Sequence, residues 1–222
     1  MRSYTPGVDS GGLAMFFIRT IALVAAAYAL VGCAGMSEQA CLVSDWRTVG
    51  FEDGTYGRPV GTIGNYRQAC SKHGVTPDLE RYRAGHAEGV QVYCRPTQGF
   101  DVGRRGGVYQ GVCPANLEGE FVVAYNSGRR LYELESTLQR IDSQIASNYR
   151  TQENIKQELT GIAGSMIGSD TSPEQRVLLV ARAADLGERY GAITAETDRL
   201  REQRVVHELE LREYQETLAF GF

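Results

Sequence analysis

Lysine is nearly missing from this 222-residue chain: only Lys72 and Lys156 are present, and arginine carries the rest of the positive charge. With a net charge of -4 there is no basic excess of the kind a nucleic-acid backbone requires, so that class of partner is excluded. Long hydrophobic runs are missing too. The longest apolar stretch, Thr20 to Val31, falls short of the roughly 20 residues that span a bilayer. Metal-type cysteine spacing is also lacking. Cys41, Cys70, Cys94 and Cys113 are separated by 28, 23 and 18 residues with no CxxC pair, which argues against zinc, and no cofactor is expected. No serine sits in a GxSxG elbow, and the three histidines, His73, His86 and His207, fall on separate segments. A serine-histidine-acid triad has no sequence support.

The amino-terminal stretch reads as an address. Arg19 precedes the apolar run, as in a signal peptide, and the run ends in Leu30-Val31-Gly32-Cys33. That quartet resembles the bacterial lipobox. The resemblance implies cleavage before Cys33, thioether lipidation of its sulfur and acylation of the new amino terminus. Several acyl chains on one residue give a lasting membrane tether. Ala34 rather than aspartate follows the cysteine, and by the enterobacterial sorting pattern this favours the outer membrane, periplasmic face. Residues 1–32 are then removable signal, and Met15 is a plausible true start.

Lipidation also resolves an odd cysteine count. Five cysteines suit an exported protein poorly, but removing Cys33 leaves four, and an oxidising compartment makes two disulfides the default. Of the three possible connectivities, the local pairings 41–70 and 94–113 are favoured because each closes a short loop, although sequence alone leaves the choice open.

Two regions follow the signal. Residues 33–117 form a glycine-, tyrosine- and cysteine-rich head, and residues 118–222 are helical in pattern. Segment 34–113 has 9 basic and 8 acidic residues, whereas 118–222 has 12 and 18. In the second region a three-four spacing picks out Leu131, Leu134, Leu138, Ile141, Ile145, Asn148, Gln152, Ile155, Leu159 and Ile162. A weaker seam runs from Leu179 through Leu186, Ile193, Thr197, Leu200, Arg204 and His207 to Leu218. Between them lies the glycine-rich GIAGSMIGSDTSPEQ, ending in a capping-box pattern at Ser172, Pro173 and Gln175. Two helices of about 40 to 45 residues are expected, forming a long antiparallel coiled-coil hairpin.

In the head, Asp45 caps a helix over DWRTVGFEDGTYG. A second helix spans GTIGNYRQAC, and a third spans PDLERYRAGHAEGVQVYC. The first and third share an aromatic followed by Gly-xxx-Gly, like a weak internal repeat. The segment GFDVGRRGGVYQGVCP reads as a glycine-rich turn or short hairpin. The expected fold class is therefore mainly α: a small disulfide-stapled helical head followed by the hairpin.

The order DWRTVGFEDGTYG, IGNYRQACSKHGVTPD, YRAGHAEGVQVYC, GFDVGRRGGVYQGVCP and AYNSGRRLYELE is similar to a family of bacterial lipoproteins, domain of unknown function 2799, over roughly residues 33–140. The resemblance implies an exported lipoprotein with a cysteine-bearing head and a helical tail, and it implies no activity.

Candidate chemistry is sparse. Glu52, Asp53 and Glu88 offer carboxylates, read first as solvated helix faces. Arg104 and Arg105, flanked by glycines, could grip a phosphate or carboxylate, with Trp46 and Tyr109 as stacking aromatics. The competing reading pairs those arginines with Glu52, Asp53 or Asp101 and puts the aromatics in the core. The functional expectation is a non-enzymatic structural or interaction protein, with no catalytic residue. The helical hairpin is its contact surface for a protein partner or for self-association. The alternative is a head that binds peptidoglycan or anionic envelope lipid.

Overall fold

The computed structural model describes residues 36–221. Cys33, the lipobox and the apolar segment before it lie outside the described residues. What is described is mainly helical, without a strand among these residues. The helices are α1 (Glu38–Val43), α2 (Trp46–Thr55), α3 (Ile63–Ser71), α4 (Leu79–Tyr93), α5 (Pro96–Arg104), α6 (Ala115–Ile167) and α7 (Pro173–Gly221), with a 3-10 turn at Val60–Thr62. Contacts divide the chain into two compact units, meeting between Val92 and Tyr93. Disulfides Cys41–Cys70 and Cys94–Cys113 staple one each.

The first unit is built on α2 against α4. Asp45 caps α2 by accepting from the Arg47 amide at 3.3 Å, and the Thr48 hydroxyl donates to the same carboxylate at 2.8 Å. Glycine then dictates the packing. A Cβ placed on Gly50 would lie 2.0 Å from the Tyr82 carbonyl oxygen, and one on Gly85 would lie 1.8 Å from that of Arg47. Gly54 and Gly89 face each other in the same way. The two backbones touch, and close contact over four glycines offsets the helix penalty of about 1 kcal/mol each.

The second unit repeats this arrangement with α5 and the start of α6. A Cβ on Gly99 would meet the Phe121 carbonyl oxygen at 2.5 Å, one on Gly103 that of Tyr125 at 2.2 Å, and one on Gly128 that of Phe100 at 2.1 Å. Gly-Phe-x-x-Gly-x-x-Gly occurs in both first helices, at Gly50–Gly57 and Gly99–Gly106. Both end the same way. Gly57 (φ 69°) and Gly106 (φ 74°) are left-handed, and their amides donate to Gly54 and Gly103. The following amides, of Arg58 and Gly107, reach back to Asp53 and Val102, each at 2.9 Å. These are two Schellman caps. In each unit the disulfide ties the segment before the first helix to the segment before the second.

Two expectations are corrected here. Helices 46–55 and 79–93 are not copies of one another. They are partners, and the repeat relates one helix pair to the other. The glycine-rich segment between Cys94 and Cys113 is not simply a turn or hairpin, because its first half is α5. Pro96 sits in the first turn of α5, where its missing amide costs no hydrogen bond. Gly99 and Gly103, which suggest a loop, are there because the α6 backbone crosses them.

Helices α6 and α7 lie alongside each other in opposite directions. Asn148 donates to the Thr197 hydroxyl at 3.2 Å, Gln152 to that of Thr194 at 3.0 Å, and Arg204 to Asp142 at 2.6 Å. The Tyr214 hydroxyl reaches the Ser127 carbonyl at 3.0 Å. Every residue of both periodic seams is buried or half-buried. Helix α6 runs on through Gly161 and Gly164, so the link shrinks to Gly168–Ser172 and the helices span 53 and 49 residues. The capping box forms as the sequence predicts: the Ser172 amide donates to Gln175 Oε1 at 2.8 Å, and the Gln175 amide to Ser172 Oγ at 3.3 Å. Arg176 completes the link. Its guanidinium donates to the carbonyls of Met166 and Gly168, which the end of α6 leaves bare, and to that of Thr171 in the link.

Candidate functional site

The two helix pairs share a scaffold but differ beneath their Schellman caps. In the first unit Asp53, on the inner face of α2, is 1% exposed. Its Oδ1 accepts from Arg58 Nη1 at 2.8 Å and from the Tyr66 hydroxyl at 3.2 Å, and its Oδ2 accepts from the Tyr82 hydroxyl at 2.7 Å. A buried carboxylate left unpartnered would be costly; three donors remove that penalty. The Asp53 hydrogen bond raises the already high pKa of Arg58, keeping the guanidinium charged. Burial, followed by the bond to Asp53, pushes the Tyr82 phenol far above its usual range, and burial raises Tyr66 as well. Both phenols therefore stay protonated as donors.

Arg58 is fixed at three points. Its amide caps α2, and its carbonyl accepts from His86 Nε2 at 2.7 Å. Its guanidinium is anchored by Asp53 and lies over the Tyr56 ring, 5.5 Å from the centroid. Yet the side chain is 53% exposed, and Tyr56 is 72% exposed. A buried acid thus holds a surface arginine against a surface aromatic.

The corresponding positions of the second unit are apolar. Val102 replaces Asp53, Gly107 replaces Arg58, and Phe121 replaces Tyr82. The carbonyl cap survives, because Tyr125, in the place of His86, donates to the Gly107 carbonyl at 3.1 Å. Tyr109, Phe121, Tyr125 and Tyr93 form an aromatic cluster with the Tyr109–Phe121 centroids 4.9 Å apart.

The residues singled out in the sequence are dispersed. Trp46 is buried against Tyr66, and Tyr109 is half-buried, donating to Glu118 at 2.9 Å and accepting from the Cys113 amide at 3.0 Å. Neither aromatic is a free stacking surface. Arg104 and Arg105 close α5, exposed, and pair with no carboxylate among the described residues. Glu52 is exposed and Glu88 pairs with exposed Arg47, whereas Asp53 is buried and not on the solvated face expected for it. His73 follows α3, 3.9 Å from Glu38. His86 is buried in the cap described above. Among the described residues no cluster of metal-ligand side chains occurs, and no helix is long and apolar enough to cross a membrane. Arg58 and Tyr66 escape sequence inspection because nothing local marks them. The signal that could have found them is the Gly-Phe-x-x-Gly-x-x-Gly repeat, which aligns Asp53 with a valine.

No curated protein and no solved structure matches the chain. The family-model match is shorter than the resemblance suggested but covers both helix pairs: residues 45–130 match the family described as "Protein of unknown function (DUF2799)".

Proposed function

We propose that this chain is a lipid-tethered protein of the bacterial envelope, anchored through Cys33 in the outer membrane on its periplasmic face, that works by binding rather than by catalysis. In this reading α6 and α7 form an antiparallel coiled-coil hairpin, reaching about 80 Å at 1.5 Å per residue, whose outer faces meet a protein partner or a second copy. The carrying observation is that the α6–α7 seam buries one stripe of each helix and leaves apolar residues outside it. Val205, Val206 and Leu209 are at least half exposed, and Ile167, Val177 and Leu178 at the link are 70% exposed or more. Photo-crosslinkers placed at Val206, Leu209 and Leu178 in cells should give discrete adducts. Crosslinking from the buried seam at Ile141 or Ile155 should give only internal products. Uncrosslinked monomer from every outward position would refute the reading.

The geometry of Arg58 and Tyr56 favours a second reading, in which the disulfide-stapled helices bind cell-wall glycan or anionic lipid. Lipid-free protein carrying Cys33→Ser should then sediment with purified sacculi or with anionic vesicles. Sedimentation with neither would dispose of it.

A further inference from the structure

We infer that Arg58 and Tyr56 form a binding site for a carboxylate-bearing saccharide, presented by the buried Asp53. This deepens the glycan reading above and rests on it.

The second helix pair is the internal control. It keeps three of the four glycine contacts, the left-handed cap and the disulfide, yet dispenses with the acid, the arginine and the second-helix tyrosine hydroxyl. The scaffold therefore does not require the Asp53 cluster. Burying a carboxylate seldom stabilises more than well-packed apolar groups of similar volume. What the cluster does achieve is local: it holds a half-exposed guanidinium in one place. Asp53 occupies Nη1, and no second carboxylate pairs with Arg58 among the described residues. Such a fork is suited to a planar carboxylate.

Tyr56 selects the rest of the ligand. Its ring is exposed and its guanidinium neighbour is fixed, so a flat C–H face stacked on the ring would carry its acid onto Arg58. A pyranose bearing a carboxylate has both features. An anionic lipid surface fits less well, because it needs a basic field. Residues 36–92 hold six basic and seven acidic side chains.

The test titrates full chain carrying Cys33→Ser with N-acetylglucosaminyl-N-acetylmuramic acid, whose lactyl group supplies the carboxylate, and with the neutral di-N-acetylchitobiose. Saturable binding of the acidic sugar is expected, at least about tenfold tighter than of the neutral one. Arg58→Lys, which keeps the charge and loses the fork, should weaken it about tenfold. Tyr56→Ala should do the same while costing no more thermal stability than the exposed contact with Arg58 supplies, since Tyr56 makes no hydrogen bond to Asp53. Absence of saturable binding would overturn the inference. So would equal binding of the two sugars, parent-like affinity in both variants, or binding to phosphatidylglycerol vesicles in place of the sugar. If sacculi sediment the protein and Tyr56→Ala makes no difference, the glycan reading survives and this site fails.

Discussion

In both helix pairs the carbonyl that follows the left-handed glycine is capped from the second helix, by His86 in one and by Tyr125 in the other. Around that shared bond the two interiors diverge. One encloses a carboxylate with three donors, and the other a cluster of aromatic rings. Glycine contacts and caps define the scaffold, because both pairs have them. The charged cluster is an addition, because only one has it. Repeats within a chain separate what holds a fold from what is mounted on it, and they do so without any relative to compare.

The sharpest break between the pairs should come from Gly85, whose counterpart is Ala124. Gly85→Ala would put a Cβ 1.8 Å from the Arg47 carbonyl oxygen and force α2 and α4 apart, at a cost of about 4 kcal/mol or more. Ala124→Gly should cost about 1 kcal/mol, through helix propensity and the lost methyl. Urea unfolding checks the contrast, with helical circular dichroism following Ala124→Gly in the second unit and Trp46 fluorescence following Gly85→Ala in the first. Trp46 is the sole tryptophan and lies in the first unit, so its fluorescence reports that unit.

Disulfide removal should separate the units less. Paired Cys→Ser replacement at 41 and 70 opens a loop of 29 residues and should cost about 3.5 kcal/mol by loop entropy. At 94 and 113 the separation is 19 and the cost about 3 kcal/mol. Titration with reductant, followed by unfolding of each variant, measures both.

Arg58→Gly alone brings the first unit one residue closer to the second and should still destabilise it, by about 3 kcal/mol, because Asp53 stays buried with its counter-ion gone. A smaller effect is expected from pH. The folded pKa of Tyr82 lies above the unfolded value of about 10, so its contribution is intact below about pH 10 and is lost as pH rises further, when the unfolded chain gives up the proton first. Tyr82→Phe, the residue at Phe121, should flatten the alkaline limb of a Trp46-monitored stability profile.

Much of the architecture was legible in the sequence because it follows from period and punctuation. The seams from Leu131 and Leu179 are read from spacing alone, and Ser172, Pro173 and Gln175 announce the start of α7 through local hydrogen bonds. Elsewhere glycine misleads. At Gly99, Gly103, Gly161 and Gly164 it looks like a loop signal. The first two are helical because another backbone presses on them, and the last two because α6 continues regardless. The Arg58 arrangement was less visible still. Its partners come from α2, α3 and α4, and long-range convergence of that kind leaves no local pattern. Asp53 is visible in the sequence as a carboxylate, but its burial depends on Tyr66 and Tyr82 arriving from elsewhere.

The central claim is that the first pair would fold without its charged cluster. Transplanting the second pair's residues tests it directly, through Asp53→Val, Arg58→Gly and Tyr82→Phe in one protein, with stability measured by urea unfolding of Trp46 fluorescence. If the scaffold is as described, the triple variant lies within about 1 kcal/mol of the parent, well above Arg58→Gly alone. A triple variant that loses as much as the single one, or that fails to fold, would show that the cluster is part of the scaffold and contradict the account.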